Sequence, residues 1–337
     1  MASAGEAGNG GASGGRVAVL EWRAWEGFLL TQVLGRHAVR VETDPFRPFP
    51  PRQFERLCDS FKTVCFQINL SVRGRLPLRT RDLTERFAER GVHVVNGLVQ
   101  DIRKSTLHAH LEAIGLPSLK AARSGPADEI LFVKTDLNYG GDLERWLPPE
   151  SIAAAGLERL VSADMGAYRY RAVERGAIEE GLWADAAVVI ERYVANKDDS
   201  FYRAYFSGRR VVIVKAFAPG LIKKLSSDPR DTNFVTDLKH LKAGTDGLPL
   251  SAKLKRDVAT FVEKTPVEFG CVDIVHDGRG RYYVVDLNLT PYAGARAYDE
   301  FLNDFLRAGI TSPRQRKAAR FPDSPLAAVR AAGVGLD

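Results

Sequence analysis

Two carboxylates and an amide, Asp273, Asp286 and Asn288, lie in FGCVDIVHDGRGRYYVVDLNL at a spacing that two adjacent strands can close into one cluster. Along YYVVDLNL the two-residue period of a strand puts Tyr282, Val284, Asp286 and Asn288 on one face. Tyr283, Val285 and Leu287 form an apolar stripe on the other, suited to a core. Any even-length loop within HDGRGR brings Asp273 onto the polar face, opposite or diagonal to Asp286. Two like charges that close call for a cation. Hard oxygen ligands suit Mg²⁺, which takes one or two carboxylates plus substrate phosphates. The plainer alternative is a solvated polar sheet face with an Asn before a turn.

A second group is Lys134 in LFVKTDLNYGGD, a lysine at the end of an apolar strand with Gly140 and Gly141 six and seven residues on. Such a lysine supplies a point charge to a phosphate, and the glycines let backbone N–H groups approach it. The lysine precedes the glycines, so this is not the GxxxxGK[ST] phosphate loop. A third pair is Arg203 and Lys215, on strands joined through Ser-Gly-Arg-Arg. A three-residue loop at Gly208–Arg210 sets the two cations opposite one another, as an anion between them would require. A loop one residue longer or shorter puts them on opposite faces.

These residues need a scaffold. The chain has 337 residues, 45% hydrophobic and 27% charged, with a formal charge of +6. That composition excludes a mainly disordered chain, and no apolar run reaches the ~18 residues of a membrane span. The basic residues are spread out, with no run of five and no aromatic–basic motif of an RNA-binding sheet. An anionic small ligand therefore fits the charge better than nucleic acid. Three scattered cysteines (Cys58, Cys65 and Cys271) exclude a disulfide framework and a four-thiolate zinc site, and a reducing cytoplasm is the expected compartment. The first residues, MASAGEAGNGGASGG, carry no secretory signal and read as a flexible tail.

Residues 16–96 alternate strands (RVAVL, HAVRVE, TVCFQIN, VHVVN) with helices (about 52–60, and TRDLTERFAERG), which predicts a parallel sheet covered by helices. Residues 97–183 hold the helix STLHAHLEAIG and the strand EILFVK. His108 and His110, two apart on that helix, are a poor metal pair and read as packing or solvent-facing residues. Residues 184–310 are richer in strands: AAVVIERYV, SFYRAYF and RRVVIVKAF, then a helix at 252–264 and the Asp273–Asn288 hairpin, with further helix after Pro291. Residues 311–337 form a basic tail, and residues 217–250 a basic segment with Lys223, Lys224, Arg230 and Lys239.

The order of these pieces resembles the ATP-grasp superfamily over about residues 16–310. NGLVQDIRKSTLHAHLEAIGLPS is similar to the family segment in which an Asn and a Lys open a helix ending in Gly-x-x-Pro/Ser, which implies Lys104 as a first phosphate lysine. LFVKTDLNYGGD resembles the family's strand and glycine lid, with Lys134 the second lysine and Gly140 and Gly141 in the lid. VVIERYV resembles the hinge along adenine and ribose. It implies backbone contacts from Tyr193 and Val194 to adenine and a carboxylate, Glu191, to the nucleoside. FYRAYFSGRRVVIVK resembles the hairpin that places Arg203 on the γ-phosphate or acyl phosphate. VEFGCVDIVHDGRGRYYVVDLNLTPYAG resembles the metal hairpin, with Asp273, Asp286 and Asn288 as ligands. Here Thr135 stands where the family commonly has Pro, and Asp286 where it commonly has Glu.

The resemblance implies an α+β and α/β architecture: an N-terminal α/β lobe preceding two α+β lobes that sandwich ATP. It implies ATP and Mg²⁺ (or Mn²⁺) as cofactors and a ligase that joins a small-molecule or peptide carboxylate to an amine through an acyl phosphate, closest in motif to ribosomal-protein glutamate ligases. Lys215 is taken with Arg203 as a catalytic cation. The alternatives are a small-molecule kinase of the inositol phosphate kinase type and a non-catalytic nucleotide-binding protein. The sequence allows a homo-oligomer without specifying one.

Overall fold

The computed structural model describes residues 15–23, 28–162, 170–195, 199–218, 220, 234–235, 250–291 and 300–311. The expected tails at 1–15 and 311–337 and the basic segment 217–250 lie almost wholly outside them.

In chain order the elements are β1 (Val17–Glu21), α1 (Leu29–Leu34), β2 (Ala38–Glu42), α2 (Pro51–Ser60), β3 (Thr63–Gln67), α3 (Thr80–Glu89), β4 (His93–Val95), α4 (Lys104–Ala113), β5 (Ile130–Thr135), α5 (Pro149–Ala154), α6 (Glu158–Ser162), β6 (Tyr170–Glu174), α7 (Glu180–Trp183), β7 (Val188–Arg192), β8 (Ser200–Ser207), β9 (Arg210–Phe217), β10 (Phe234–Val235), α8 (Ala252–Lys264), β11 (Phe269–His276), β12 (Tyr282–Asn288) and α9 (Glu300–Thr311). They form three sheets. A parallel sheet has the order β2-β1-β3-β4, a three-stranded antiparallel sheet β6-β5-β7, and a five-stranded sheet β10-β9-β8-β11-β12.

The alternation along 16–96 produces the parallel sheet because both its faces are covered, so β1 and β3 are buried at every position. One face packs Phe54, Leu57, Leu83 and Phe87 of α2 and α3 against Ala18, Leu20, Val64 and Phe66. The other face presents Val17, Val19 and Cys65 to α1, to α9 and to Tyr205, Val212, Phe269 and Cys271 of the five-stranded sheet. The far face of that sheet is covered by α8 through Leu254, Val258 and Phe261 and by α4 through Leu107 and Leu111. The α8 helix starts where Ser251 caps it, its hydroxyl accepting from Leu254 N at 3.1 Å.

One strand sits differently from its place in the sequence. VVIER, grouped by sequence order with residues 184–310, pairs antiparallel with β5 from Leu131↔Arg192 to Thr135↔Val188. The three-stranded sheet therefore extends to Arg192, past the boundary drawn at 183. Its third strand, β6, has no sequence signal comparable to the others, since every residue in YRAVE is at least partly exposed. Asn96 ties the lobes together from a left-handed conformation (φ 58°). Its Nδ2 donates to Phe269 O at 2.7 Å, and its Oδ1 accepts from Glu268 N and Phe269 N.

Candidate functional site

The cleft between the two antiparallel sheets collects most of the predicted residues. Asp273 and Asp286 are directly opposite partners on β11 and β12, and Asn288 lies two residues on, opposite Cys271. The loop between His276 and Tyr282 has five residues, 277–281, an odd number that alone would set Asp286 on the wrong face. A bulge corrects this. The register shifts between Asp273 and Ile274, leaving Val285 as the extra residue. The expected alternation breaks at the same place, because Val284 joins Leu287 in the core instead of sharing the polar face.

The bulge also turns a carbonyl toward the other sheet. Lys134 donates to Val285 O at 3.1 Å and pairs with Glu191 Oε1 at 2.5 Å. Glu191 in turn meets His108 Nε2 at 2.9 Å, and His108 Nδ1 meets Ser118 Oγ at 3.1 Å. All of Lys134, Glu191 and His108 are buried. Burial pushes the Glu191 carboxyl up, but Lys134 and His108 outweigh it and hold the carboxyl below its usual range. His108 is therefore a packing residue with a specific partner, a role its spacing to His110 did not reveal.

Lys104 opens α4 and is buried, its Nζ donating to Leu137 O at 2.9 Å. Asp136 fixes that helix end, accepting from Ser105 N at 2.7 Å and Ser105 Oγ at 2.8 Å. The next residues are those expected from the sequence to form the lid. Tyr139, Gly140 and Gly141 are all left-handed (φ 51°, 68° and 78°), a run that glycine adopts without strain and that folds the chain back over β12. Asn138 Nδ2 donates to Leu287 O at 2.7 Å, and the Tyr139 hydroxyl meets Asn288 Nδ2 at 2.5 Å. Burial pushes the Tyr139 phenol up to about 12, so it remains a neutral donor and acceptor.

Arg203 donates through Nε and Nη2 to the two oxygens of Asp273, at 2.5 and 2.7 Å. Burial opposes its charge and Asp273 restores it, leaving the guanidinium firmly protonated. Lys215 does not join it. The β8–β9 turn has two residues, Gly208-Arg209, so Arg203 pairs with Val214 while Lys215 pairs with Tyr202. Directly paired residues share a face, which places Lys215 on the side away from Arg203. The expected pair of facing cations is replaced by a forked Arg203–Asp273 ion pair.

Tyr193 and Val194 are half-buried at the end of β7. The Tyr193 N–H donates to Ile130 O at 3.1 Å, so that N–H is already engaged within the sheet. Phe132, on the same face of β5 as Lys134, stacks near Tyr170 (centroids 5.9 Å apart) and Tyr193 (6.1 Å). Of these, Phe132 and Tyr170 escaped the sequence reading, Phe132 because it looks like any apolar strand residue. Tyr170 lies within electrostatic reach of Asp286, Lys134 and Glu191, and burial pushes its phenol up to about 12.

The donor set fits a divalent cation. Asp286 Oδ1 is buried without a hydrogen-bond partner, with Asp273 facing it. Burial raises the Asp286 carboxyl, Lys104 opposes this and Asp273 adds to it. Asn288 Oδ1 accepts from Thr290 N at 2.9 Å and, at a long 3.5 Å, from Thr290 Oγ1, the contact a cation would have to displace. Among the described residues no three His, Cys, Asp or Glu gather as a metal group, so any site here consists of two carboxylates and an amide.

No protein-family model matches the chain, and no curated protein sequence matches it. Among solved structures, D-cycloserine synthetase DcsG is similar with a TM-score of 0.50 at 12% identity, covering 89% of this chain and 99% of that one. A RimK domain protein ATP-grasp from Sphaerobacter thermophilus gives 0.47 at 15% identity, covering 88% and 98%. The ATP-grasp ligase PsnB, complexed with minimal precursor, Mg and ADP, gives 0.49 at 14% identity, covering 88% and 98%. At such identities the likeness concerns the fold. The chain has the ATP-grasp fold, with a parallel α/β lobe followed by two antiparallel sheets, which Lys134 and Asn138 join to Val285 and Leu287 of β12.

Proposed function

Starting from that fold, we propose that the protein is an ATP- and Mg²⁺-dependent ligase that joins a carboxylate to an amine through an acyl phosphate. The observation that carries the reading is the opposed pair Asp273–Asp286, with one buried oxygen lacking a partner, set across the cleft from Lys104 and Lys134.

In this reading ATP lies between the three-stranded and five-stranded sheets. Phe132 packs on the base, the Tyr193–Val194 backbone meets its edge, and Glu191 orients Lys134 toward the phosphates. Asp273, Asp286 and Asn288 would hold Mg²⁺, which when bound offsets phosphate charge. Gly140 and Gly141 bring backbone N–H groups over the phosphates, and Tyr139 ties the lid to Asn288. A substrate carboxylate oxygen bonds to the γ-phosphorus as the bond from that phosphorus to the β–γ bridging oxygen breaks, and ADP leaves. Lys104, Lys134 and Arg203 stabilise the charge on the transferring oxygens. An amine lone pair then attacks the acyl carbon, the C–O bond to phosphate breaks, and the amine gives up a proton. No protein nucleophile is required.

The test is ADP release from ATP and Mg²⁺ with pooled carboxylates and amines, together with mass spectrometry of the products. The ligase reading expects release that requires both pools and a product joined with loss of water. A phosphorylated product formed without any amine would identify a kinase instead. Nucleotide binding without turnover in any pool would leave a binding protein.

A further inference from the structure

The parallel sheet carries a polar cluster that the chemistry above does not use. Its strand order reverses at β1: β2 lies on one side, and the chain then crosses to β3 on the other. Open parallel sheets bind ligands at the carboxyl ends of the two strands flanking such a reversal. Here those ends are Glu21 and Gln67, which are register partners. Both are buried, at 2% and 0% exposure.

The cluster's hydrogen bonds leave one acceptor over. Gln67 Nε2 donates to Glu21 Oε2 at 3.0 Å and to Thr31 Oγ1 at 3.4 Å. A carboxylate can only accept, so it fixes which end of the amide is nitrogen. Gln67 Oε1 must point away, and it is buried with no partner. Arg40 pairs with Glu21 Oε1 at 2.5 Å from a side chain one-third exposed. Glu21 keeps further lone pairs, since a carboxylate has about four acceptor sites. Arg40 offsets the Glu21 charge, and what the cluster lacks is donors: the remaining Glu21 lone pairs beside the unpaired Gln67 acceptor suit a group that offers several N–H bonds at once, as an ammonium does.

The cluster also faces the right way. Val19, Cys65, Tyr205 and Cys271 share one core layer between the parallel and five-stranded sheets. Two residues along each strand, on the same face, stand Glu21, Gln67, Arg203 and Asp273. The segments that follow β1 and β3 reach the reacting region: Leu29 N, at the start of α1, donates to Pro291 O at 2.8 Å, three residues past Asn288. The Ser71 hydroxyl accepts from the lid's Asn138 N at 3.0 Å.

We propose that Glu21, Gln67 and Thr31 bind the α-ammonium group of an amino-acid substrate. Its bearing on catalysis rests on the ligase reading; the binding itself does not.

Calorimetry on the full chain with AMPPNP and Mg²⁺ tests it, using the twenty L-amino acids and their Nα-acetyl derivatives. At least one free amino acid should bind, and acetylation should weaken it at least tenfold. Gln67→Met should weaken it tenfold or more while changing AMPPNP affinity less than twofold. No binding by any amino acid, equal binding of the acetylated form, or wild-type affinity in a folded Gln67→Met would overturn the proposal and leave a buried water as the occupant. Acetylation alters only the ligand, so this arm stands even where the variant fails to fold. ADP release measured alongside separates the two ideas. Ammonium-dependent binding without ADP release removes the ligase reading and keeps the site, whereas turnover insensitive to Gln67→Met removes the site and keeps the ligase.

Discussion

β8 and β9 are joined by the two residues Gly208-Arg209 and run in unbroken register for eight pairs, whereas β11 and β12 are joined by residues 277–281 and slip by one residue at a bulge. Both hairpins raise the same question of which side chains share a face. In the first, loop length settles it, and Lys215 is sent to the face opposite Arg203. In the second, loop length gives the wrong answer and the bulge at Val285 reverses it. A strand pair thus carries two switches of parity, the loop and the bulge, and only the loop is visible as turn residues. The regular hairpin keeps Arg203 and Lys215 apart and sets Arg203 against Asp273. The bulged one collects two acids and frees a carbonyl for Lys134.

The sharpest way to break this contrast is at the opposed carboxylates. Asp286→Asn should lower ADP release at least ~10²-fold, as expected when a cation and the charge it offsets are lost from a phosphoryl-transfer site. It should also raise the melting temperature without ligands. The folded-state carboxyl is raised by burial, so its charged form costs stability above the ordinary carboxylate range, and asparagine removes that cost. Activity assays beside melting curves check both. A fall in melting temperature would show that the carboxylate is a structural acceptor.

Arg203→Ala comes next. Its guanidinium can hold two phosphate oxygens and keeps its charge, so its loss should lower kcat about 10²-fold with little change in the KM for ATP. The variant should also be less stable, by about 3–5 kcal/mol, because Asp273 is left buried and unpaired. Arg203→Lys keeps the charge without the fork and should recover part of each. A raised KM for ATP as the only defect would assign Arg203 to ground-state binding.

The sequence carried these residues unevenly. Helices and core strands were legible because their apolar period is strong: α8 spans the expected Ala252–Lys264, and the lysine, lid and acid motifs keep their order. The fine geometry was not legible, for local reasons. Val285 differs in no chemical way from Val284, yet one is the bulge and the other is core. Glu191 reads as a ligand to a nucleoside, but its immediate partners are Lys134 and His108, drawn from two other elements. β6 is too exposed to show a pattern, and β7 pairs backward with β5 for reasons of topology that composition does not record.

Deleting Val285 probes the bulge itself. Register on both sides already pairs Ile274 with Val284 and Asp273 with Asp286, so a regular ladder without Val285 keeps the acids opposed. What is lost is the carbonyl that Lys134 reaches. A net hydrogen bond is worth about 1 kcal/mol, so the KM for ATP should rise about fivefold while Mg²⁺ dependence persists. Loss of Mg²⁺-dependent turnover in a folded deletion variant would mean that the bulge, not the pairing, sets the acids.

Lys215→Ala should have the smallest effect, and that is its use. The residue is half-buried and opposite Tyr202, on the face that carries Ile213, Ile274 and the α8 packing. Trimming it removes an amphipathic stem from that face and no charge from the cleft. Both kcat and the KM for ATP should stay within about twofold of wild type, since surface substitutions of this kind typically change stability by less than about 0.5 kcal/mol. Steady-state kinetics on Lys215→Ala and Arg203→Ala, run together, compare two cations twelve positions apart on one hairpin. If the two variants lose activity equally while Lys215→Ala keeps its melting temperature, the two-residue turn cannot be the register that operates in the working enzyme. If only Arg203→Ala is impaired, the turn at Gly208-Arg209 has selected which of the two cations meets the phosphates.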